Sequence, residues 1–186
     1  MVNDVISEEK IFVIGGTTDG NTGLNDVWYS ENGIDWQLAT GNAGFSGRWG
    51  HTYINSYLIG GTENGTTGLS DVWERETDDF INWKLLTVNA GFSGRWGHAV
   101  ESGSKYSTYI YVIGGKENNT TYLNDVWRSR DGKNWTKIMD GNFGKRAGHS
   151  LMFFSDITLA GKNVFRMIGG YDGANYFNQI CDTEYK

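Results

Sequence analysis

Short apolar runs, each ending in a Gly-Gly pair, recur along the chain. The four runs read IFVIGG, YLIGG, IYVIGG and FRMIGG, at residues 11–16, 57–61, 110–115 and 165–170. Like LNDVWYS and NWKLLTV, they are short, rich in β-branched and aromatic residues, and bounded by Gly, Asn, Asp or Ser. These features are typical of β-strands. No stretch of useful length shows the helical spacing of apolar residues, so the pattern predicts an all-β chain.

Other motifs follow the Gly-Gly pairs in a fixed order. They are Asp-Val-Trp at residues 26–28, 71–73 and 125–127, a second Trp at positions 36, 83 and 135, and Gly-His ending at positions 51, 98 and 149. The first Gly of a pair precedes the first Trp by 13 residues each time (15 to 28, 60 to 73, 114 to 127). Each unit provides four strands: A from the His, B into Gly-Gly, C through Asp-Val-Trp and D from the second Trp. Such units predict a β-propeller in which each unit is one blade.

The repeats assign the whole chain, residues 1–186, to one propeller segment. The blades cover about residues 2–40, 46–88, 94–140 and 146–186. The first unit has a strand A at residues 2–7 without Arg-x-Gly-His, and the last ends in a strand C at residues 175–185 without a strand D. The sequence therefore predicts about four four-stranded antiparallel blades, with the first and last incomplete. Three interpretations stay open: a truncated reading frame, a protomer completed by other chains, or a four-bladed ring. Open end blades would expose apolar faces and strand edges, which predicts self-association.

The order Arg-x-Gly-His, apolar run, Gly-Gly, Asp-Val-Trp, Trp resembles the kelch repeat of the galactose oxidase-like propeller superfamily. The resemblance covers almost the whole chain. In detail, the motifs are more similar to those of bacterial secreted or surface kelch proteins than to those of animal adaptor proteins. One departure is that the residue before the Arg, often Pro in this family, is Gly47, Gly94 or Lys145. Kelch propellers serve as protein-binding modules, glycan-related domains and a few enzymes. The resemblance also implies a secreted or cell-surface protein if the chain is a fragment.

Composition excludes several classes of partner. The net charge is −6 and the Lys and Arg residues are scattered, which predicts no nucleic-acid binding. No run is long and apolar enough for a membrane span, and the start MVNDVISEEK lacks signal-peptide features. One Cys, Cys181, excludes an internal disulfide framework. No cofactor is predicted, and no metal site, because the His residues recur on different blades. The compartment stays undetermined.

The octapeptide GFSGRWGH occurs twice, at residues 44–51 and 91–98. It is a D–A loop, and an antiparallel blade places its D–A and B–C connections at the same end. In one interpretation the Arg and His residues of these loops bond to neighbouring blades. In the other, the Trp residues and the Arg beside them line a pocket, as stacking surfaces and bidentate donors. Acidic residues of the B–C loops either bind a cation or sugar hydroxyl, or form solvated turns. The predicted ligand-binding set is Arg48, Trp49, Arg95, Trp96, Arg146, Asp19, Glu63 and Glu117.

The function predicted from these residues is a binding module for a protein or a glycan, rather than an enzyme. The alternative is a carbohydrate-active enzyme domain of the sialic acid mutarotase type. A closed pocket with a convergent acid and base would favour the enzyme, and an open rim would favour binding. Galactose oxidase chemistry is not expected, because no residues of this sequence can be identified as the copper ligands that the resemblance implies.

Overall fold

The computed structural model describes residues 10–103, 108–156 and 162–185. Within these ranges the chain forms fourteen β-strands and no helix. The strands form four antiparallel sheets, and each sheet is a simple meander in which strands adjacent in sequence are paired. The prediction of an all-β chain with four antiparallel sheets is confirmed.

Sheet 1 contains β1 (Ile11–Thr17), β2 (Gly23–Ser30) and β3 (Gln37–Thr40). Sheet 2 contains β4 (Thr52–Ile54), β5 (Tyr57–Ile59), β6 (Val72–Arg75) and β7 (Trp83–Thr87). Sheet 3 contains β8 (Ala99–Ser102), β9 (Ile110–Ile113), β10 (Asp125–Ser129) and β11 (Thr136–Asp140). Sheet 4 contains β12 (Ala147–Asp156), β13 (Lys162–Tyr171) and β14 (Ile180–Tyr185). The strand A predicted at residues 2–7 lies outside the described residues.

The Gly-Gly pairs mark the points where a B strand passes against the next D–A loop. Gly60 has a φ of 58°, and a Cβ at this position would lie 2.8 Å from the carbonyl oxygen of Arg95. Only glycine combines this left-handed backbone with such a close approach. Gly15 and Gly114 meet equivalent carbonyl oxygens. The apolar runs therefore end in glycine because of a contact between sheets.

Three apolar cores lie between successive sheets. Neighbouring residues of a B strand point to opposite faces, so each middle sheet contributes to two cores. Leu58 packs in the core between sheets 1 and 2, whereas Ile59 packs in the core between sheets 2 and 3. Val112 belongs to this second core and Ile113 to the third, between sheets 3 and 4. All four side chains are fully buried.

The outward faces of sheets 1 and 4 have no such cover among the described residues. On sheet 1, Val13, Trp28 and Leu38 are cross-strand neighbours and all are exposed. On sheet 4, Ile168 and Ile180 are cross-strand neighbours and are also exposed. The two ends of the stack of sheets therefore present apolar side chains to solvent.

Candidate ligand-binding rim

The D–A and B–C connections lie at one end of the stack of sheets, and we name this end the rim. The D–A loops are residues 41–51, 88–98 and 141–146, and the B–C loops are residues 18–22, 60–71, 114–124 and 172–179. Backbone hydrogen bonds link the first two D–A loops to each other and the second of them to the start of β12. Gly97 N donates to Gly50 O at 2.8 Å, and Gly148 N donates to Gly97 O at 2.7 Å. The rim is therefore a continuous hydrogen-bonded surface across sheets 2, 3 and 4.

The repeated arginines are buried and join one sheet to the next. Arg95 N donates to Leu69 O at 2.9 Å in sheet 2, while both Nη atoms donate to the Asp125 carboxylate of sheet 3, at 2.7 and 2.9 Å. Its Nη1 also donates to Gly114 O at 3.0 Å. Arg48 makes the equivalent ion pair with Asp71, at 2.7 Å. These contacts favour the structural interpretation of the arginines, and a role for them in ligand binding stays a prediction.

The third arginine has no carboxylate partner among the described residues. Arg146 Nη1 donates to Gly169 O at 2.8 Å, but its Nη2 lies 3.9 Å from the thiol sulfur of Cys181. Ile180 pairs with Ile168 in sheet 4 as Val126 pairs with Ile113 in sheet 3, so Gln179 stands where sheet 3 has Asp125. The guanidinium group instead lies over the ring of Phe177, 3.9 Å from its centroid. The junction between sheets 3 and 4 therefore differs in chemistry from the two before it.

Of the three histidines of the Gly-His motifs, His98 and His149 are buried and His51 is half-buried. Burial lowers the pKa of His51 and of His149 to about 4, and the charge of the neighbouring arginine adds to the effect. Burial, with Arg95 next in importance, holds the pKa of His98 well below its usual value. His98 Nε2 lies 2.8 Å from Thr52 Oγ1. All three imidazoles are therefore neutral at pH 7.

The two tryptophans of the repeated octapeptide differ in burial. Trp96 is 2% exposed, with the ammonium group of Lys116 lying 4.7 Å from its ring centroid. Trp49 is half-buried, and Thr62 occupies the position that corresponds to Lys116. Neither indole N–H has a hydrogen-bond partner among the described residues. Of the two, only Trp49 presents part of its ring to solvent.

The acidic residues predicted for ligand binding lie on the B–C loops of three different sheets. Asp19 is exposed, and hydrogen bonds from the backbone of Asn21 and Thr22 lower its pKa to about 2. Glu63 is exposed and Glu117 is half-buried. The residues described by the structure contain no cluster of three or more His, Cys, Asp or Glu arranged to hold a metal ion.

An aromatic row, which the sequence analysis missed, runs along the rim towards sheet 4. Lys116 lies over Trp96 and also 5.9 Å from the ring centroid of Tyr122. Tyr122 meets Tyr171 edge to face at 6.0 Å, and Tyr171 stacks on Tyr176 at 4.6 Å. Tyr176 is 85% exposed. The row therefore begins with a buried indole and ends in an aromatic ring open to solvent.

A cavity of about 420 Å³, the rim cavity, opens beside this row, within the size range of ligand pockets. It is lined by Thr120, Thr121, Tyr122, Lys145 and Asp172. From the sequence, Lys145 was named, with Gly47 and Gly94, only as a residue that stands where the kelch family often has Pro. Aligning the repeats also places Tyr122 where the two preceding units have Gly23 and Gly68, and this second difference was visible in the sequence.

A second cavity, of about 380 Å³, lies between sheets 1 and 2 and includes a histidine. It is lined by Phe12, Ile14, His51, Tyr53 and Phe80. Its lining is mainly apolar and contains no carboxylate, so this imidazole does not converge with an acid in the cavity.

The described part of the chain has no helix that is long and apolar enough to cross a membrane. No protein-family model matches the chain, and no curated protein matches its sequence. Among solved structures, that of YjhT matches with a TM-score of 0.66 at 16% identity, over 87% of this chain and 56% of that one. Fructan 1-exohydrolase IIa from Cichorium intybus matches with a TM-score of 0.48 at 10% identity, over 91% of this chain and 37% of that one. The chain thus spans little more than half the length of YjhT. The likeness to YjhT, together with the four antiparallel sheets, shows that the chain has an all-β, propeller-like fold.

Proposed function

We propose that the chain is a kelch-type propeller segment of about four blades that binds a glycan at the rim. The observation that carries this proposal is the stacked pair Tyr171 and Tyr176, whose outer ring is 85% exposed. Tyrosine and tryptophan side chains are enriched at interaction surfaces, where one end of the ring is apolar and the other is polar. A pyranose ring offers an apolar face for stacking and hydroxyl groups for the polar residues beside it. A glycan therefore suits this surface better than an apolar protein segment does.

The residues predicted from the sequence divide into two roles in this proposal. Trp49, Asp19, Glu63 and Glu117 face the ligand, because their side chains reach solvent on the rim. The buried residues Arg48, Arg95, Arg146 and Trp96 hold the loops in place. This division keeps the whole predicted set at the rim.

Binding is favoured over catalysis of the mutarotase type by the arrangement of acids and bases. A closed pocket in which an acid and a base converge would favour general acid–base catalysis. His98 and His149 are buried, and the cavity that includes His51 has no carboxylate in its lining. Lys145 and Asp172 do share the rim cavity, but that cavity lies on the rim and not in a closed pocket. The rim is open, which supports a binding role.

A glycan array tests the proposal. The wild-type chain should retain glycans. Tyr176→Ala should weaken glycan binding at least tenfold, which is about 1.4 kcal/mol of binding free energy. Its melting temperature should be unchanged because the ring is exposed. Ile34→Ala is the matched control, since Ile34 is 80% exposed on the C–D hairpin at the opposite end. Glycan retention by Tyr176→Ala equal to that of wild type would contradict the proposal, as would capture of proteins alone.

We also propose that the end sheets associate with a second copy of the chain, head to tail. The exposed pair Val13 and Trp28 corresponds to Leu58 and Trp73, which pack against the preceding sheet. The exposed pair Ile168 and Ile180 has equivalents in sheets 2 and 3 that are wholly buried against the following sheet: Ile59 with Val72, and Ile113 with Val126. The end face of sheet 1 therefore matches one side of the contact between successive sheets, and the end face of sheet 4 matches the other side.

A further inference from the structure

At two of the three junctions between sheets, the rim is closed by glycine against glycine. Gly23 lies so close to Gly47 that a Cβ built on it would overlap backbone atoms of Gly47. Gly68 and Gly94 repeat this contact at the next junction. With no side chain on either residue, the B–C loop and the D–A loop touch through backbone alone, and no space for a ligand remains between them.

At the third junction both glycines are replaced together. Backbone hydrogen bonds fix the correspondence, because Arg48 N, Arg95 N and Arg146 N donate to Leu24 O, Leu69 O and Leu123 O respectively. The residues that precede these partners are Gly23, Gly68 and Tyr122 on the B–C side, and Gly47, Gly94 and Lys145 on the D–A side. The side chains of Tyr122 and Lys145 therefore stand where the other junctions have glycine, and both line the rim cavity.

The groups that line the rim cavity are available for a ligand. Lys145 is exposed and has no ion-pair partner among the described residues, and the Tyr122 hydroxyl has no hydrogen-bond partner among them. Tyr122 is only 7% exposed, so its ring forms a fixed wall. The Asp172 carboxylate accepts hydrogen bonds from Asn175 N at 2.6 Å and Ala174 N at 2.8 Å, and these bonds hold its pKa below the usual value. The carboxylate is therefore charged at neutral pH and held in place by its own turn.

We propose that the rim cavity binds a neutral sugar residue between Tyr122, Lys145 and Asp172. The ammonium group donates to sugar oxygens, and the carboxylate accepts from sugar hydroxyls, so the lining supplies both kinds of hydrogen bond. One positive and one negative side chain leave the lining with no net charge, and an acidic sugar would place its carboxylate beside Asp172. Tyr176 extends the site outwards for the next residue of a glycan. The proposal rests on the proposed glycan-binding function and assigns the sugar class and position.

The test uses ligand-observed NMR titrations of the full chain with four neutral probes. They are the methyl glycosides of mannose, galactose, glucose and N-acetylglucosamine, with methyl glucuronide as the acidic counterpart. At least one neutral probe should bind, and Lys145→Met and Asp172→Asn should each weaken its binding about tenfold, as expected for loss of a charged hydrogen bond. The double variant Tyr122→Gly with Lys145→Gly should recreate the glycine contact and abolish binding. Since that variant could fail to fold, the two single exposed changes carry the test.

Matched controls lie on the opposite end of sheet 3. Lys133→Met removes an exposed lysine. Asp131→Asn changes a carboxylate that accepts a hydrogen bond from Asn134 N at 2.8 Å, as Asp172 accepts one from Asn175 N. Both should bind the probe as wild type does.

The outcomes separate this proposal from the general one. Neutral-probe binding that is unaffected by Lys145→Met and Asp172→Asn, or tighter binding of the glucuronide, overturns the assignment of the rim cavity. If Tyr176→Ala still abolishes glycan retention on the array in that case, the rim function stands. If neither the array nor the neutral probes bind, both proposals are wrong.

Discussion

Arg95 and Asp125 form a buried two-point ion pair, in which each Nη atom donates to a different carboxylate oxygen, at 2.7 and 2.9 Å. The backbone of Arg95 is bound to sheet 2, because its N–H donates to Leu69 O and its carbonyl accepts from Gly61 N. The side chain is bound to sheet 3. One residue therefore connects two sheets, which gives a structural reason for the repetition of its loop.

Removing one partner of this pair should destabilise the chain strongly. Burial opposes the ionisation of Asp125, but hydrogen bonds and charge from Arg95 outweigh it and hold the pKa below its usual value. Arg95→Met leaves that carboxylate without its partner, and the free energy of unfolding should fall by about 3–5 kcal/mol. Urea denaturation measures the change. The double variant with Asp125→Asn should cost less than the sum of the single variants, and strict additivity would show that the pair is not coupled.

Arg146 provides the comparison within the same molecule. Its guanidinium group has no carboxylate partner among the described residues and contacts Phe177 and Cys181 instead. Because Arg146→Met strands no buried carboxylate, it should destabilise the chain less than Arg95→Met does. An equal or larger loss for Arg146→Met would mean that the ion pair is not the main contribution of these arginines.

The two rim tryptophans should respond differently to truncation. Trp96 is almost completely buried beneath Lys116, so Trp96→Ala should cost about 3–5 kcal/mol, as for other buried aromatic residues. Trp49 is half-buried, so Trp49→Ala should cost less and should weaken glycan binding instead. Thermal melts and the glycan array measure the two effects. Equal destabilisation without any change in binding would assign both rings to packing alone.

Stability should fall as the pH is lowered from about 6.5 towards 4. His51 and His149 have folded pKa values of about 4, below the unfolded value of 6.5, and that of His98 is also lowered. The unfolded chain therefore binds protons that the folded chain excludes, and the stabilisation present above pH 6.5 is lost on acidification. At pH 5 the loss should be about 2 kcal/mol for each of His51 and His149, and His98 should add to it in the same direction. Urea midpoints at pH 8 and pH 5 measure it, and a midpoint that is constant over this range would refute it.

Head-to-tail association should depend on both end faces. Light scattering should show a mass that rises with concentration, and either Val13→Glu or Ile180→Glu should give a monomer by placing a charge on an apolar face. Ile34→Glu, on the distant hairpin, is the control and should associate as wild type does. Mixing the Val13→Glu and Ile180→Glu variants should restore a dimer, because one intact face of each kind remains. A wild-type monomer at all concentrations, or no dimer in the mixture, contradicts this arrangement.

For the described residues, the sequence alone determined that the chain is all-β and that its strands form four antiparallel sheets. The predicted strand A at residues 2–7 lies outside the described residues, and the strand predicted at residues 175–185 begins at Ile180. These features follow from local patterns, because Gly-Gly, Asp-Val-Trp and the second Trp each occupy one position in a unit that repeats. The arginines were also correctly placed in the D–A loops. Their ion pairs could not be derived, since Arg95 and Asp125 are 30 residues apart and meet only when two sheets pack.

Tertiary structure decided the burial of the tryptophans and the location of the rim cavity. The octapeptide is identical in both copies, yet Trp96 is covered by Lys116, whereas short Thr62 occupies the corresponding position beside Trp49. The rim cavity depends on Tyr122 and Lys145, which come from different loops and replace a glycine contact that is itself an inter-loop feature. Local sequence specifies the strands because backbone conformation is local. Exposure depends on which side chain a neighbouring sheet places against a residue, and that is fixed only by packing.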